Sequence, residues 1–296
     1  MKVLSLFDGI SCGMVAFERA GIPVERYVAY EIDQNAIKIS QKNYPQIEHC
    51  GDVFKADFTR YKGFDAVIGG SPCTWWSIAQ KPETREKTSS GLGWELFMQF
   101  VRAVKESECR YFLYENNASM SDDIKEEITK QLGVEPILIN SSRVSAQSRG
   151  RLYWTNIPGV ELPEPCGDVV ADIIEDGSEE IDYSAKAVFN GNENHSSRSD
   201  KPVRVGHINK ARQGERIYSA YGKTVTMMSG VGGLGAKTGL YLIGDTVRKL
   251  TVLEAERAQT LPEGYTKGIP DSQRYKAIGN GWTVDVIVHI LTYINR

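Results

Sequence analysis

Side chains able to carry nucleophilic and acid–base chemistry follow two apolar runs of this sequence and occupy a third segment. Cys73 comes after DAVI in the stretch GGSPCTWWS, and Glu115 comes at the end of YFLYEN. In SAQSRGRLYW, alternation along an extended segment would put Gln147, Arg149 and Arg151 on one side. A thiol, a carboxylate and a guanidinium that meet at one place would form a candidate site for covalent catalysis by the cysteine.

Cys73 also fits an inert structural role. Free cysteines are commonly small buried hydrophobes, and the turn is rich in glycine and proline. A thiol becomes a strong nucleophile where a helix N-terminus or a cation stabilises its thiolate. The turn itself leaves both interpretations open, so the positions of the other groups decide between them.

Acidic residues follow the first three predicted strands and indicate a nucleoside site. Asp8 and Gly9 precede a predicted helix, and Glu31 ends the next apolar run, where it could bind two ribose hydroxyls. Asp33 lies just beyond, and Asp52 in HCGDVF follows what would be the third strand, a short one before the apolar run at 64–70. The glycine spacing is not GxGxxG, and several carboxylates would repel a phosphate, so the cluster suits a cationic, phosphate-free nucleoside such as S-adenosylmethionine. Taken singly, each acid also fits a helix cap or a turn.

The elements that position these groups alternate between short apolar runs and longer amphipathic stretches. The runs predict buried strands at residues 3–7, 27–31, 64–70, 111–116 and 134–140. The stretches that follow have helical spacing at residues 12–20, 33–43, 92–106 and 121–132. This alternation predicts an α/β fold with a doubly wound, mostly parallel sheet, whose ligands bind beyond the carboxyl ends of the strands.

The composition changes after about residue 157. Segments rich in proline, acids, serine, asparagine and glycine predict a smaller, loop-rich domain at residues 158–247. Residues 1–157 are then the large catalytic and cofactor-binding domain, to which residues 248–296 return. Helices are predicted in this last segment at RKLTVLEAERAQTL and TVDVIVHILTYI.

Charge is distributed unevenly along the 296 residues, whose net charge is −3. Residues 161–182 contain nine acidic residues and no Lys or Arg, whereas residues 196–223 contain seven Lys or Arg and two acids. Local charge governs the approach of a polyanion, so the second stretch is compatible with nucleic-acid binding. A solvated surface is the alternative.

Several functional classes are disfavoured by the sequence. The five cysteines include no CxxC pair and the four histidines are scattered, so neither a disulfide scaffold nor a metal site is expected. No run approaches the roughly 18 apolar residues of a membrane span, and the apolar run in MKVLSLFDG is too short for a signal peptide. An intracellular protein is therefore expected.

In their order along the chain, the motifs resemble those of the cytosine carbon-5 DNA methyltransferases. The matching segments are FDGISCG, the acid at Glu31, GDV, GGSPC, ENN, QSRGR, RKLTVLEAERAQTLP and AIGNGWTVDVI. Together they run from residue 3 to about residue 290 and leave only the variable segment unmatched. The serine before Pro-Cys and the GNGWTV ending resemble the eukaryotic de novo branch, whereas the compact chain resembles stand-alone bacterial or phage enzymes.

The resemblance implies a Rossmann-like, S-adenosylmethionine-dependent methyltransferase fold and a covalent mechanism. The Cys73 thiolate would attack carbon 6 of a cytosine flipped out of a DNA duplex. Glu115 would hold ring nitrogen 3 and the exocyclic amine, and Arg151 would bind the carbonyl oxygen and orient Glu115. Methyl transfer to carbon 5, loss of the carbon-5 proton and expulsion of the cysteine would follow, with S-adenosylhomocysteine as the other product. Gln147 and Arg149 would support the loop or the DNA phosphates, and Arg149 is carried over as the fourth catalytic residue.

The resemblance also implies binding residues. The cofactor site would include Phe7, Asp8, Gly9, Gly13, Glu31, Ile32, Asp52, Val53, Pro72, Leu96, Asn280, Gly281 and Trp282. Residues 74–91 would be a mobile loop that closes on DNA, and residues from about 158 to 246 would recognise the target. DNA contacts would come from Thr74, Trp75, Trp76, Ser77, Lys81, Arg85, Lys87 and Gln147.

The implied partner is double-stranded DNA with a short target sequence. The implied enzyme is a monomer in the cytoplasm of a bacterial or phage-infected cell, associated with the nucleoid. A cognate restriction endonuclease that acts on the same site is a further implied partner.

Two departures from the family pattern bear on these expectations. Asn117 stands where the family usually has valine, and Thr74, Trp75 and Trp76 follow the cysteine where the family often has glutamine. The two tryptophans either stack on the duplex or pack inside the protein.

Three alternatives to a DNA methyltransferase remain. A non-catalytic DNA-binding homologue would have no reason to keep Cys73, Glu115, Arg149 and Arg151. An RNA methyltransferase of the tRNA-modifying branch would carry a Cys-Phe-Thr segment, which is absent here. A nicotinamide enzyme is disfavoured by the missing GxGxxG.

Overall fold

A computed structural model of the chain contains two compact units. Unit 1 comprises Met1–Ile139, Gly150–Leu162 and Ile287–Arg296. Unit 2 comprises Asn140–Arg149 and Pro163–Val286. The structure describes residues 1–77, 83, 85–178, 180–228, 234–235 and 237–295, with the backbone alone at 73 and 295.

A seven-stranded sheet in the order β3-β2-β1-β4-β5-β7-β6 organises unit 1. Its strands are β1 Lys2–Leu6, β2 Arg26–Tyr30, β3 Glu48–His49, β4 Ala66–Gly69, β5 Tyr111–Asn117, β6 Ile137–Asn140 and β7 Gly150–Thr155. Strands β1 to β5 pair in parallel, and β7 runs antiparallel to β5. The sequences of β1, β2 and β4 are buried almost continuously, as parallel strands covered on both faces must be. The doubly wound, mostly parallel α/β fold predicted from the sequence is confirmed.

The helices of unit 1 that follow these strands are those predicted from apolar spacing. They are α1 Cys12–Arg19, α2 Gln34–Asn43, α3 Leu92–Ser107 and α4 Asp122–Leu132. Asp33 begins α2 by accepting hydrogen bonds from the backbone N–H groups of Asn35 and Ala36. Each predicted helix is therefore placed to within one residue at its start.

The strand order reverses between β1 and β4, and such a reversal is where a doubly wound sheet binds its ligand. Strands β2 and β3 follow one another on one side of β1, whereas β4 and then β5 lie on the other side. In such sheets the loops after the two central strands diverge, and ligands bind between them. The last residue of β4, Gly69, has no room for a side chain, because a Cβ there would lie 2.6 Å from the Leu6 carbonyl oxygen of β1.

Unit 2 contains a five-stranded sheet in the order β12-β11-β10-β9-β8. The strands are β8 Val188–Phe189, β9 Arg204–His207, β10 Arg216–Ser219, β11 Leu240–Ile243 and β12 Thr246–Lys249. Only β10 and β11 pair in parallel among the registers of this sheet. Each strand has four residues or fewer, too short for an alternating pattern to stand out from a loop-rich sequence.

The final helices are α5 Val252–Ala258, α6 Asp271–Asn280 and α7 Val284–Leu291. The helix predicted at 248–261 begins only at Val252, because residues 248 and 249 belong to β12. Residues 248–286 group with unit 2, where the buried Arg248 guanidinium binds both carboxylate oxygens of Glu254 at 2.8 Å. The division at residues 158 and 248 differs from this grouping and stays a prediction about function.

Among the residues that the structure describes, one segment meets the length and hydropathy criteria for crossing a membrane. It is Asp271–Ile294, with a mean hydropathy of 1.2. The segment consists of α6 and α7 with a break at residues 281–283, and half of its apolar window is buried. Core helices meet the same criteria, so the segment is weak evidence for a membrane span.

Candidate active site

The groups able to carry out the chemistry lie at or just beyond the carboxyl ends of four neighbouring parallel strands of unit 1. Asp8 and Gly9 follow β1, and Glu31 follows β2. Cys73 follows β4, and Glu115 lies near the end of β5. These are the loops at which a ligand of a doubly wound sheet binds.

Glu31 ties the β1 and β2 loops together through its carboxylate. One oxygen accepts a hydrogen bond from the Gly9 N–H at 2.8 Å, and the other accepts from the Ile32 and Asp33 N–H groups at 2.8 Å each. Burial raises the pKa of Glu31, and these three N–H groups partly oppose that shift. A carboxylate accepts about four hydrogen bonds, so Glu31 keeps capacity for a hydroxyl of a ligand.

Asp8 has a structural role that the sequence did not distinguish from ligand binding. Its carboxylate accepts hydrogen bonds from Ser5 Oγ at 2.6 Å, Ser11 Oγ at 2.5 Å and Tyr27 Oη at 2.7 Å. Burial raises the pKa of Asp8, and the three hydroxyls oppose that shift. Through these hydrogen bonds the Asp8 carboxylate stabilises the turn after β1.

Backbone geometry in the same turn is unusual. Phe7, Gly9 and Ser11 have φ values of 56°, 59° and 60°, in the left-handed region. Two of these residues carry side chains, so the turn is held in a conformation that L-residues rarely adopt. A Cβ at Gly9 would meet nothing within 4 Å, which leaves open space beside the turn.

The remaining acids of the predicted nucleoside cluster act as caps. Asp33 caps α2, and Asp52 accepts a hydrogen bond from the Phe54 N–H at 3.0 Å. Glu31 is therefore the acid of this cluster that bridges two loops. The repulsion of phosphate by this cluster stays a prediction.

Two apolar side chains stand exposed beyond β2 and β3. Ile32 is 70% exposed, and Phe54, which sequence reasoning missed, is 44% exposed. Large exposed hydrophobic side chains next to a polar loop are typical of surfaces that a ligand covers. The signal for Phe54 was its position two residues after Asp52 in GDVF.

The other predicted cofactor residues are distributed over both units. In unit 1, Gly13 and Val53 are buried, Phe7 and Leu96 are half-buried, and Pro72 is exposed. Unit 2 contains the exposed Asn280 and the half-buried Gly281 and Trp282 at the end of α6.

A buried hydrogen-bond network holds the approach to Cys73. Ser71 Oγ and Tyr114 Oη share a hydrogen bond of 2.6 Å. Asn116 Nδ2 donates to the Ser71 carbonyl at 3.1 Å and to Tyr114 Oη at 3.0 Å. The loop after β4 is thus attached to β5 just before Cys73 begins a short 3-10 turn.

Sequence reasoning missed Tyr114 and Asn116 as supports of this loop. The available signal was the alternation in YENN, which puts residues 114 and 116 on one face of β5 and residues 115 and 117 on the other. Asn117, the departure from the family pattern, accepts hydrogen bonds from the Ser119 N–H and Oγ at 3.0 and 2.8 Å. It therefore shapes the turn that follows β5.

Glu115 and Arg151 form an ion pair on one face of the sheet. In the antiparallel pairing of β5 with β7, Asn117 lies opposite Arg151, so Glu115 is the diagonal neighbour of Arg151. Arg151 Nε lies 2.9 Å from Glu115 Oε1, and each side chain is 12% exposed. The structure thus brings together the predicted general acid–base group and the arginine predicted to orient it.

Arg149 and Gln147 do not join that pair. The buried Arg149 guanidinium donates to the carbonyls of Gly279 at 3.1 Å and Gly281 at 3.2 Å within unit 2. Gln147 is fully buried, and its amide donates to Gln259 Oε1 at 2.9 Å. Strand β7 begins only at Gly150, so the alternation expected across residues 147–151 does not extend to them.

Arg149 supports the backbone on either side of Asn280 through these hydrogen bonds, and its catalytic role stays a prediction. Gln147 has no exposed surface with which to contact DNA, contrary to the expectation.

The structure separates the two tryptophans after Cys73. Trp76 is 1% exposed and belongs to the hydrophobic core of unit 1, whereas Trp75 is half-buried against that core. Trp76 therefore packs inside and does not contact DNA in this conformation. Of the other predicted DNA contacts, Thr74 and Lys87 are exposed, Ser77 and Arg85 are half-buried, and Lys81 lies outside the described residues.

Fewer cations of the basic stretch at 196–223 are available to contact DNA than its sequence suggests. Arg198 pairs with Asp172 at 2.6 Å and lowers the pKa of that carboxyl, and Lys223 is buried. Four other cations of the stretch are exposed, namely Lys201, Arg204, Lys210 and Arg212. Part of the acidic run is thus neutralised within unit 2.

Comparison with known proteins places the chain in a family context. A profile of the family described as C-5 cytosine-specific DNA methylase matches residues 1–296. The type II methyltransferase M.HhaI of Haemophilus parahaemolyticus is 27% identical over 314 residues, which cover 99% of this chain and 93% of that protein.

Solved structures share the fold. The S. pombe Dnmt2 methyltransferase superposes with a TM-score of 0.68 at 15% identity, over 99% of this chain and 98% of that chain. The Entamoeba histolytica methyltransferase EhMeth has a TM-score of 0.70 at 14% identity, over 99% of this chain and 97% of that chain.

Proposed function

This chain belongs to the C-5 cytosine-specific DNA methylases, and we propose that it transfers a methyl group from S-adenosylmethionine to carbon 5 of a cytosine flipped out of double-stranded DNA. The observation that carries the proposal is the Glu115–Arg151 ion pair on the strand next to the one that leads into Cys73. Family membership supports the DNA substrate, and the placement of these groups supports the covalent route.

The chain's residues suit the chemistry of an unreactive ring carbon. Attack of the Cys73 thiolate on carbon 6 forms a carbon–sulfur bond and moves the ring electrons toward nitrogen 3. Glu115 enters this step as the protonated acid and passes its proton to nitrogen 3, which leaves its carboxylate paired with Arg151, while Arg151 also donates to the ring carbonyl. Carbon 5 then has the electron density of an enamine. After methyl transfer, a base takes the carbon-5 proton, and the electrons of that C–H bond re-form the ring double bond as the carbon–sulfur bond breaks. The Cys73 thiolate leaves, and nitrogen 3 returns its proton to Glu115.

The residues of the loops after β1, β2 and β3 suit S-adenosylmethionine, which when bound supplies a methyl group on a sulfonium. Glu31 has acceptor capacity for ribose hydroxyls, and its charge complements a cation. The exposed Ile32 and Phe54 provide apolar surface for a base. The space beside Gly9 leaves room for a ligand close to the backbone.

An Ile32→Ala variant is expected to bind S-adenosylmethionine about 10-fold more weakly, because the exposed side chain loses the apolar area that the ligand would cover. Its stability should change little, since an exposed side chain contributes little to folding. Isothermal titration and thermal unfolding measure the two quantities. Leu162→Ala is the control, because Leu162 is also exposed in unit 1. Equal affinity in both variants would remove Ile32 from the cofactor site.

Expression in a host that lacks cytosine methylation tests the function. Bisulfite sequencing of the host DNA is expected to show 5-methylcytosine at one short sequence. A Cys73→Ser chain expressed in parallel should leave the DNA unmodified. Methylation confined to RNA would favour the RNA methyltransferase alternative, and no methylation of either would favour the non-catalytic homologue.

DNA contacts are proposed for the exposed groups near the nucleophile and in unit 2. Thr74 and Lys87 are exposed on the segment after Cys73, and Ser77 and Arg85 are half-buried there. The exposed cations Lys201, Arg204, Lys210 and Arg212 of unit 2 suit phosphate contacts that position the target. A monomeric state, a nucleoid-associated cytoplasmic location and a cognate restriction endonuclease stay predictions.

A further inference from the structure

A carboxylate holds the far end of the turn that begins at Cys73. Trp76 Nε1 donates to Glu86 Oε2 at 3.2 Å, and the Gly93 N–H donates to Glu86 Oε1 at 3.2 Å. The Glu86 N–H in turn donates to the Trp75 carbonyl at 2.9 Å. We call this arrangement of Trp75, Trp76, Glu86 and Gly93 the Glu86 clasp.

Two glycines beside the Glu86 carboxylate leave the space that it occupies. A Cβ at Gly91 would lie 2.5 Å from Glu86 Oε1, and a Cβ at Gly93 would lie 2.6 Å from Oε2 and 2.9 Å from Trp76 Nε1. Glycine at both positions of SGLG therefore lets the carboxylate reach the start of α3. Gly93 is in the first turn of that helix, whose free N–H groups and positive dipole end favour an anion.

We propose that Glu86 is a positioning residue for the Cys73 nucleophile, acting through Trp76. The Ser71–Tyr114–Asn116 network attaches the chain just before Cys73, and the Glu86 clasp attaches it just after the 3-10 turn Cys73–Trp75. Because the chain is attached on both sides of the turn, these two sets of hydrogen bonds fix the path of the backbone at Cys73. This inference rests on the proposed covalent function.

The charge of Glu86 matters as well as its size. Both of its oxygens face N–H donors, one from the Trp76 indole and one from the Gly93 backbone. An amide in the same place has a single acceptor oxygen, so its NH2 group would face one of the two donors. The side chain or the indole must then move, and an ångström-scale displacement of a nucleophile lowers its reactivity strongly.

The test compares Glu86→Gln, Trp76→Phe and the double variant in the full chain. Trp76→Phe keeps an aromatic ring in the core but removes the indole donor. Glu95→Gln is the matched control, because it removes an exposed carboxylate from the first turn of the same helix. The substrate is a duplex that carries 5-fluorocytosine at the target found by bisulfite sequencing, with S-adenosylmethionine present. The measured quantity is the rate of covalent adduct formation.

Glu86→Gln is expected to slow adduct formation by about 10-fold to 100-fold while the Kd values for S-adenosylmethionine and DNA stay within about 2-fold of the parent. The double variant should be no slower than Glu86→Gln, because one acceptor suffices once the indole donor is gone. If Glu86 contributed only to stability, the substitution would change the melting temperature. It would not slow adduct formation while leaving the Kd values unchanged.

Adduct rates within 2-fold of the parent in both single variants would overturn the proposal. So would equal losses in Glu86→Gln and in the Glu95→Gln control. If Glu86→Gln does not fold, Trp76→Phe carries the test, with a slower adduct rate expected at unchanged binding. Absence of any adduct in the parent chain is a different result, since it contradicts the proposed covalent function.

Discussion

A Cys73→Ser variant is expected to lose methyl transfer by a factor on the order of 1,000 or more. The attacking species is the thiolate, and a serine hydroxyl at the same position ionises far less readily and needs its own base. The change replaces one sulfur atom by oxygen and leaves the hydrogen bonds of Ser71 and Trp76, which hold the turn, intact. Transfer of tritiated methyl groups to DNA measures the loss.

Binding of S-adenosylmethionine by the serine variant should match that of the parent, because Glu31 and Ile32 are unchanged. Cys166→Ser is the control, since Cys166 is also a free cysteine and is exposed in unit 2. The control should transfer methyl groups at the parental rate and form the adduct with 5-fluorocytosine. Near-normal transfer by the Cys73 variant would show that the reaction does not pass through this thiol.

Glu115→Gln is expected to lower the rate of methyl transfer about 100-fold or more. The amide cannot supply the proton that nitrogen 3 requires, so charge would build up on the ring during attack by the cysteine. Its carbonyl oxygen can still accept a hydrogen bond from Arg151 Nε, which lies 2.9 Å from the present carboxylate. Stability should therefore change much less than the rate, and single-turnover kinetics with thermal unfolding separates the two.

Glu48→Gln is the matched control for this experiment. Glu48 also pairs with an arginine across neighbouring strands of unit 1, at 2.7 Å from Arg26, but both side chains of that pair are exposed at the surface. Its substitution should leave methyl transfer unchanged. A Glu115→Gln rate within 10-fold of the parent would show that another group protonates the ring.

Unit 1 was largely predictable because its strands are buried on both faces. The sequences KVLSL, RYVAY and AVIG stand out as unbroken apolar runs, and the helices between them have clear spacing. In unit 2, strands of two to four residues carry too little pattern, and their pairing depends on contacts between distant parts of the chain. The sheet there was therefore not predicted.

Within the site, residue type predicted chemistry better than it predicted exposure. Glu115 and Arg151 meet as the chemistry requires, because β5 and β7 place them as diagonal neighbours. Trp76 and Gln147 were expected at the DNA surface and are buried. An indole or an amide satisfies its hydrogen bonds equally well inside the protein or at a surface, and its sequence position does not distinguish the two.

The identities and order of the motifs were sufficient to establish the family and to nominate Cys73 as the nucleophile, because the chemistry of a thiol, a carboxylate and a guanidinium is a property of residue type. Packing assigned the supporting roles. Asp8 bonds inward, Arg149 holds the backbone of Gly279 and Gly281, and Trp76 anchors the turn after Cys73 through Glu86. These roles depend on which donors and acceptors come within about 3 Å of one another. Trp76 and Glu86 are ten residues apart in the sequence, and the fold brings them into contact. Local sequence patterns do not reveal such a contact.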